Sequence, residues 1–200
     1  MEYKVNNPAD RFLVDKVLSG DTKAFRSIMK NTEGLVAQIV FKMIANKEDR
    51  KDIAQDIYLK VFQKLGNFRF QAKLSTWIAQ IAYHTCLNYL EKRKLLLPDP
   101  GSGQSHEEIL EKLISQPDIF NNETEILFYK KELSGILGTE IDKLPPVYKT
   151  LISLYHHEEL NYTEIAEITQ LPEGTVKSYL FRARKTLRDN LLLTYKKDAL

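Results

Sequence analysis

Asn161-Tyr162-Thr163-Glu164-Ile165-Ala166-Glu167-Ile168-Thr169-Gln170-Leu171-Pro172-Glu173-Gly174-Thr175-Val176-Lys177-Ser178-Tyr179-Leu180-Phe181-Arg182-Ala183-Arg184-Lys185-Thr186-Leu187 is the stretch from which the architecture of this chain is read. Ile165, Ala166, Ile168 and Leu171 recur at helical spacing, and Asn161 or Thr163 is available to cap the start. Gln170-Leu171-Pro172-Glu173-Gly174 breaks that helix. In a second helix Val176, Leu180, Ala183 and Leu187 fall within a narrow arc. Thr175, Ser178, Phe181, Arg182 and Lys185 occupy the opposite face, with Lys177, Arg184 and Arg188 along one flank. A short helix, a tight turn and a second helix with an apolar seam and a polar-basic outer face make a helix-turn-helix, whose second helix fits the major groove. Arginine there suits guanine edges, and flanking cations suit phosphates. The plainer alternative is a solvated basic face. Five cations and no acid between Lys177 and Arg188 weigh against it.

Outward from this motif the chain is helical. Its 200 residues are 43% hydrophobic and 28% charged, the composition of a folded globular protein. Apolar residues recur at helical spacing, with no convincing strand alternation. Pro98-Asp99-Pro100-Gly101-Ser102-Gly103-Gln104-Ser105 fits neither helix nor strand. Helical pattern returns for a short piece over Glu107 to Gln116, resumes near Glu123 to Ile141, and begins again at Pro145-Pro146. The expectation is two all-α domains, 1–97 and 123–200, joined by a flexible acidic linker over 98–122. The formal net charge of +2 conceals this division. Residues 1–97 carry 17 basic and 10 acidic side chains, residues 98–140 carry 3 and 9, and residues 141–200 carry 9 and 8. Charge of this kind speaks to partners rather than to fold. The single cysteine, Cys86, leaves no intramolecular disulfide and no cysteine-based zinc site. No apolar run spans a bilayer and the N-terminus lacks a signal-peptide core, so a cytoplasmic protein without membrane insertion is expected.

Two earlier helices carry information. Over Asp52 to Leu65, projection at 100° per residue gathers Ile53, Ala54, Ile57, Tyr58, Val61, Phe62 and Leu65 on one half. The other half holds Asp52, Gln55, Asp56, Leu59, Lys60 and Gln63, which leaves Leu59 as an apolar anchor ringed by polar groups. Such a residue is either an isolated exposed leucine or the centre of a partner-binding face. Over Ser75 to Lys94, with Ser75 as cap, Ile78, Ile81, Ala82, Thr85, Cys86, Tyr89 and Leu90 form an apolar face. Trp77, Gln80, His84, Asn88 and Glu91 run opposite them toward Lys92-Arg93-Lys94. Just upstream, Phe68-Arg69-Phe70-Gln71-Ala72-Lys73 interleaves aromatic and basic residues. Unstacked bases need these groups: aromatic faces, amides for base edges and cations for phosphates. A core role for Phe68, Phe70 and Trp77 is the competing reading.

Together these three stretches resemble the extracytoplasmic-function (group IV) sigma factors of the sigma-70 family of bacterial RNA polymerase. Asp52 to Phe62 is similar to the family's core-binding helix in region 2. Phe68 to Lys94, with Ser75-Thr76-Trp77-Ile78 and Asn88-Tyr89-Leu90, resembles the −10 melting and reading segment. Leu144-Pro145, with Glu164-Ile165-Ala166 through Pro172-Glu173-Gly174-Thr175-Val176-Lys177-Ser178 to Lys185, resembles region 4. The resemblance implies a promoter-specificity factor without catalysis or cofactor. Asp52, Gln55, Asp56, Leu59 and Gln63 would then dock on the clamp helices of the largest polymerase subunit, and region 4 on the flap of the second largest. Phe68, Arg69, Phe70, Gln71, Lys73, Trp77, His84, Asn88, Lys92 and Arg93 would bind the melted −10 strand. Thr175, Lys177, Ser178, Phe181, Arg182, Arg184 and Lys185 would bind the −35 duplex. An anti-sigma factor is an implied further partner. The chain departs from the family where Phe70 and Gln71 replace a usual glycine and acid, where Gln170 replaces a frequent glycine, and at His84, a frequent asparagine.

Two rival readings differ in class. A stand-alone helix-turn-helix repressor or activator would need no surface for single-stranded bases in its first domain. An enzyme would have to use His156-His157-Glu158-Glu159, which lacks the His-Glu-x-x-His metal spacing.

Overall fold

Short polar side chains set where the helices begin. In the computed structural model, which describes residues 7–95 and 129–195, Asn7 caps α1 (Pro8–Leu18) by accepting the Ala9 N–H at 3.1 Å. Asp21 caps α2 (Thr22–Met43) through the N–H groups of Lys23 and Ala24. Asn46 caps α3 (Lys47–Lys64), whose first turn carries Glu48 and Asp49 and whose last carries Lys64, complementing the helix dipole. Gly20, at φ 97°, makes the left-handed turn between α1 and α2. A 3₁₀ turn at Leu65–Asn67 then leads through the 68–73 loop into α4 (Leu74–Leu95). The second half comprises α5 (Tyr129–Asp142), α6 (Pro146–His156), α7 (Tyr162–Thr169) and α8 (Glu173–Tyr195). The described residues contain eight α-helices and no strand, as expected of an all-α chain. The expected linker, the short helix over 107–116 and the start of the helix at Glu123 lie outside the described residues.

Helix α4 sits at the centre. It packs on α2 and α3 within its own half and on α7 of the other, so its expected wet side is largely covered. Ala79, Tyr83 and Leu87, which belong to neither of its predicted faces, are buried for this reason. Helix α2 likewise packs on α6. One continuous buried cluster therefore runs from Val14 in α1 to Ala183 in α8. Lys42–Asp142 and Lys73–Glu164 join the halves as ion pairs, both at 2.7 Å. Ser153 Oγ donates to Gln38 Oε1 at 3.3 Å, and the Gln80 amide donates to the Glu167 carbonyl at 3.2 Å. Ion pairs this exposed contribute about 0–1 kcal/mol each. Burial of apolar side chains is therefore what holds the halves together.

Candidate nucleic-acid interface

Asn161, not Thr163, caps α7. The Asn161 side chain accepts the Glu164 N–H at 3.0 Å while the Glu164 carboxylate accepts the Asn161 N–H at 3.1 Å, a reciprocal capping box. Thr163 instead donates to Glu173 at 2.6 Å and ties the start of α7 to the start of α8. Burial alone would raise the pKa of Glu164, but bonds from Lys73 and the Asn161 N–H outweigh it and hold this carboxyl below the ordinary value. Asn161→Ala should lower stability by about 1 kcal/mol, measurable as a reduced urea midpoint at unchanged slope. Helix α7 ends at Gln170 in the left-handed conformation, φ 57° and ψ 30°. A non-glycine residue costs about 1 kcal/mol there, yet the turn keeps its shape because Ile165, Ile168, Leu171, Val176, Leu180 and Ala183 bury a continuous seam behind it.

The outer face of α8 is open. Lys177, Ser178, Phe181 and Arg182 line a shallow depression of about 380 Å³, and Phe181 is 69% exposed. Lys185 is exposed and Thr175 half-buried. Arg184 does not join this face. Its guanidinium lies 4.9 Å from the Tyr155 ring centroid and 3.4 Å from His156 Nε2 on α6. Burial first and the Arg184 charge second lower the His156 pKa, so the neutral imidazole accepts from Arg184. His157 turns the other way, to Gln38.

A second surface forms where the 68–73 loop meets α4. A cleft of about 480 Å³ is lined by Asn67, Phe68, Arg69, Gln71, Ala72, Thr76, Trp77 and Gln80, and closed on its far side by Ala166, Glu167 and Gln170 of α7 and its turn. Arg69 and Gln71 are exposed and Trp77 is half-buried. Phe68 is a buried wall, 5.2 Å from the Trp77 ring and 4.7 Å from the Phe70 ring. Phe70 is not among the residues that line the cleft and takes φ 56°, so both positions where the chain departs from a glycine keep the left-handed backbone. Lys73 is engaged by Glu164. Farther along α4, His84 is half-buried with its ring edge-on to Tyr83, Asn88 and Lys92 are exposed, and Arg93 bonds Tyr89 at 3.0 Å. Ser75 is not the cap of α4. The helix starts one residue earlier, and the Leu74 N–H donates to Asp10 Oδ2 of α1 at 3.3 Å.

The third surface is α3. Asp52, Gln55, Asp56, Leu59 and Gln63 are all exposed, with Leu59 55% accessible. Phe62, expected inside, is 51% exposed, with its ring edge-on to that of Phe25 at 5.1 Å. It extends the apolar patch of Leu59 by one turn.

The family model described as Sigma-70 region 2 matches residues 28–95, and that described as Sigma-70, region 4 matches residues 134–187. The ECF RNA polymerase sigma-E factor of Escherichia coli K12 is 32% identical over 178 residues, 89% of this chain and 92% of that protein. The chain belongs to the extracytoplasmic-function sigma factors. The RNA polymerase sigma-H factor of Pseudomonas aeruginosa is 30% identical over 178 residues, 89% of this chain and 91% of that one. In fold it resembles CnrH, solved in complex with the cytosolic domain of CnrY (TM-score 0.59, 20% identity, 92% of this chain and 97% of that one). It also resembles the sigma factor RpoE of Bartonella quintana, solved with the anti-sigma factor NepR (TM-score 0.60, 18% identity, 85% and 98%). Both sigma regions lie in one chain, in the order expected, which makes this a promoter-directing sigma factor rather than a stand-alone regulator. The region 2 match contains the α3 face and the loop and α4 side of the cleft, and the region 4 match contains the helix-turn-helix and the cleft's far side. Helix α1 precedes both.

Proposed function

We propose that this sigma factor reads the −35 duplex with the outer face of α8, captures an extruded base of the −10 strand in the cleft beside Trp77, and docks on the polymerase clamp through Leu59. The convergence of Phe68, Arg69, Gln71, Trp77 and Gln80 on one cleft carries this reading. Extruding a base costs a few kcal/mol. Stacking on Trp77 and hydrogen bonds from Arg69, Gln71 and Gln80 offset that cost. On α8, Arg182 reads a guanine edge, Lys177 and Lys185 bind phosphates, and Phe181 makes apolar contact with a base. Asp52, Gln55, Asp56 and Gln63 form the polar rim around Leu59 and exclude water from it. The action is cytoplasmic, and an anti-sigma factor belongs among the partners, as the solved complexes of the structural relatives support.

Elements centred 25 base pairs apart are about 85 Å apart at 3.4 Å per pair. A packed body of this chain length is about 45 Å across. The halves therefore part on the promoter. Run-off transcription with purified core polymerase on a fragment library tests the whole reading: transcripts should start downstream of a shared two-part sequence. Initiation without a −35 preference would overturn the role of α8. Arg182→Ala should weaken −35 binding by about 1–3 kcal/mol and relax selectivity at one position, measured by anisotropy on a panel of single-base variants. An equal loss on every variant would assign Arg182 to a phosphate.

A further inference from the structure

The loop beside the cleft is held by a residue outside both matched regions. Phe70 adopts φ 56°, a conformation that an aromatic residue avoids unless its ring is fixed. Two groups fix it. The Phe68 ring lies 4.7 Å away, and on α1 the Arg11 guanidinium lies over the Phe70 ring at 4.7 Å. The residue before Arg11 shares the task, for Asp10 Oδ2 accepts the Leu74 N–H at the start of α4. Helix α1 therefore grips the 68–73 loop near both its middle and its end. On either side of the Phe70 grip the backbone carries Arg69 and Gln71 to the cleft, while Phe68 is buried and Phe70 half-buried. Arg11 itself lines no part of the cleft.

We propose that Arg11 is a positioning residue for base recognition: stacked on Phe70, it holds the 68–73 loop in the left-handed shape that turns Arg69 and Gln71 toward the captured base. The inference rests on the cleft being the reader of the −10 strand. A guanidinium suits this role because it is planar and stacks on an aromatic face, whereas an ammonium is a hydrated point charge. Where a glycine would adopt the same backbone without help, this chain couples the loop to α1. The coupling makes α1 a determinant of base preference even though it touches no base.

The test uses holoenzyme assembled from core polymerase and the full chain, with four forked DNAs that differ only at the extruded −10 base. The quantity read is the ratio of weakest to tightest Kd. Arg11→Ala should lower this ratio about two- to fivefold, the scale of an exposed cation–π contact, and Arg11→Lys should recover part of it. Phe70→Leu breaks the stack from the other side and should give the same fall, with no further fall when Arg11→Ala is added. Equal weakening for all four bases, with a salt slope reduced by about one, would make Arg11 a phosphate contact and overturn the proposal. An unchanged ratio would overturn it too. Trp77→Ala separates the two layers of inference. A ratio altered by Trp77→Ala but not by Arg11→Ala defeats the role of Arg11 alone, and a ratio altered by neither defeats the cleft and Arg11 together.

Discussion

Leu59→Asp should abolish co-purification with core polymerase while leaving the fold intact. Leu59 is 55% exposed on α3, so the substitution removes little buried area and leaves no cavity. Circular dichroism and the urea midpoint should therefore stay at their original values. At a docked interface the same change acts twice. It deletes a central apolar anchor, and it places a carboxylate one helical turn from Asp56, where a partner surface would have to desolvate it. Loss of an anchor of this type costs about 2–4 kcal/mol, and the trapped charge adds to that. A factor that binds with nanomolar affinity would fall into the micromolar range or beyond. Gln63→Ala, at the rim of the same face, should change affinity far less, because rim residues exclude water rather than carry energy. Co-purification of the Leu59 variant at the original yield would remove α3 from the polymerase interface.

What was legible in the sequence was what local spacing controls. The helix-turn-helix could be read because its cap, its turn and its seam lie within 27 consecutive residues, and each element agrees with its neighbours. Gln170 offered no conformational licence of its own, but the buried seam on either side overrides its preference. Leu59 stood out because an apolar residue broke a polar half-helix. Phe62 did not stand out, since helical projection assigns a residue to a face without saying whether enough packs there to cover it, and Phe62 stays 51% exposed. Projection put Arg184 on the flank of α8, but its contact with Tyr155 had no local trace, because that ring lies on α6, 29 residues earlier. The Asp10 bond to the start of α4 spans 64 residues and has no local trace. Ser75 was the better cap by residue type, and a distant acid took the role. The contact between halves was equally hidden. Tyr83 looked like a spacer between two faces and became a fully buried residue because α7 covers that side of α4.

That covering has a consequence large enough to measure. In the packed arrangement Ala166, Glu167 and Gln170 close the far side of the −10 cleft, and Glu164 holds the ammonium of Lys73 that a phosphate would need. Burial, with a smaller contribution from neighbouring Tyr179, keeps the Tyr83 hydroxyl protonated far above its ordinary range, and its oxygen has no hydrogen-bond partner among the described residues. The two exposed ion pairs add little and weaken further with salt. A covalent tie across α2 and α5 should therefore silence the protein without unfolding it. Lys42→Cys with Asp142→Cys places thiols on accessible side chains that already meet, and a short cleavable bis-maleimide would join them. The native Cys86 would stay unreacted, because burial pushes its thiol up to about 12 and shields it from reagent. Run-off transcription by the tied protein should fall at least tenfold and return when the linker is cut. Binding to a −35 duplex alone should survive the tie, since Lys177, Phe181, Arg182 and Lys185 face away from the junction. Full transcription by the tied protein would mean that the packed halves can reach both promoter elements at once, which their dimensions forbid unless the duplex between them is sharply bent.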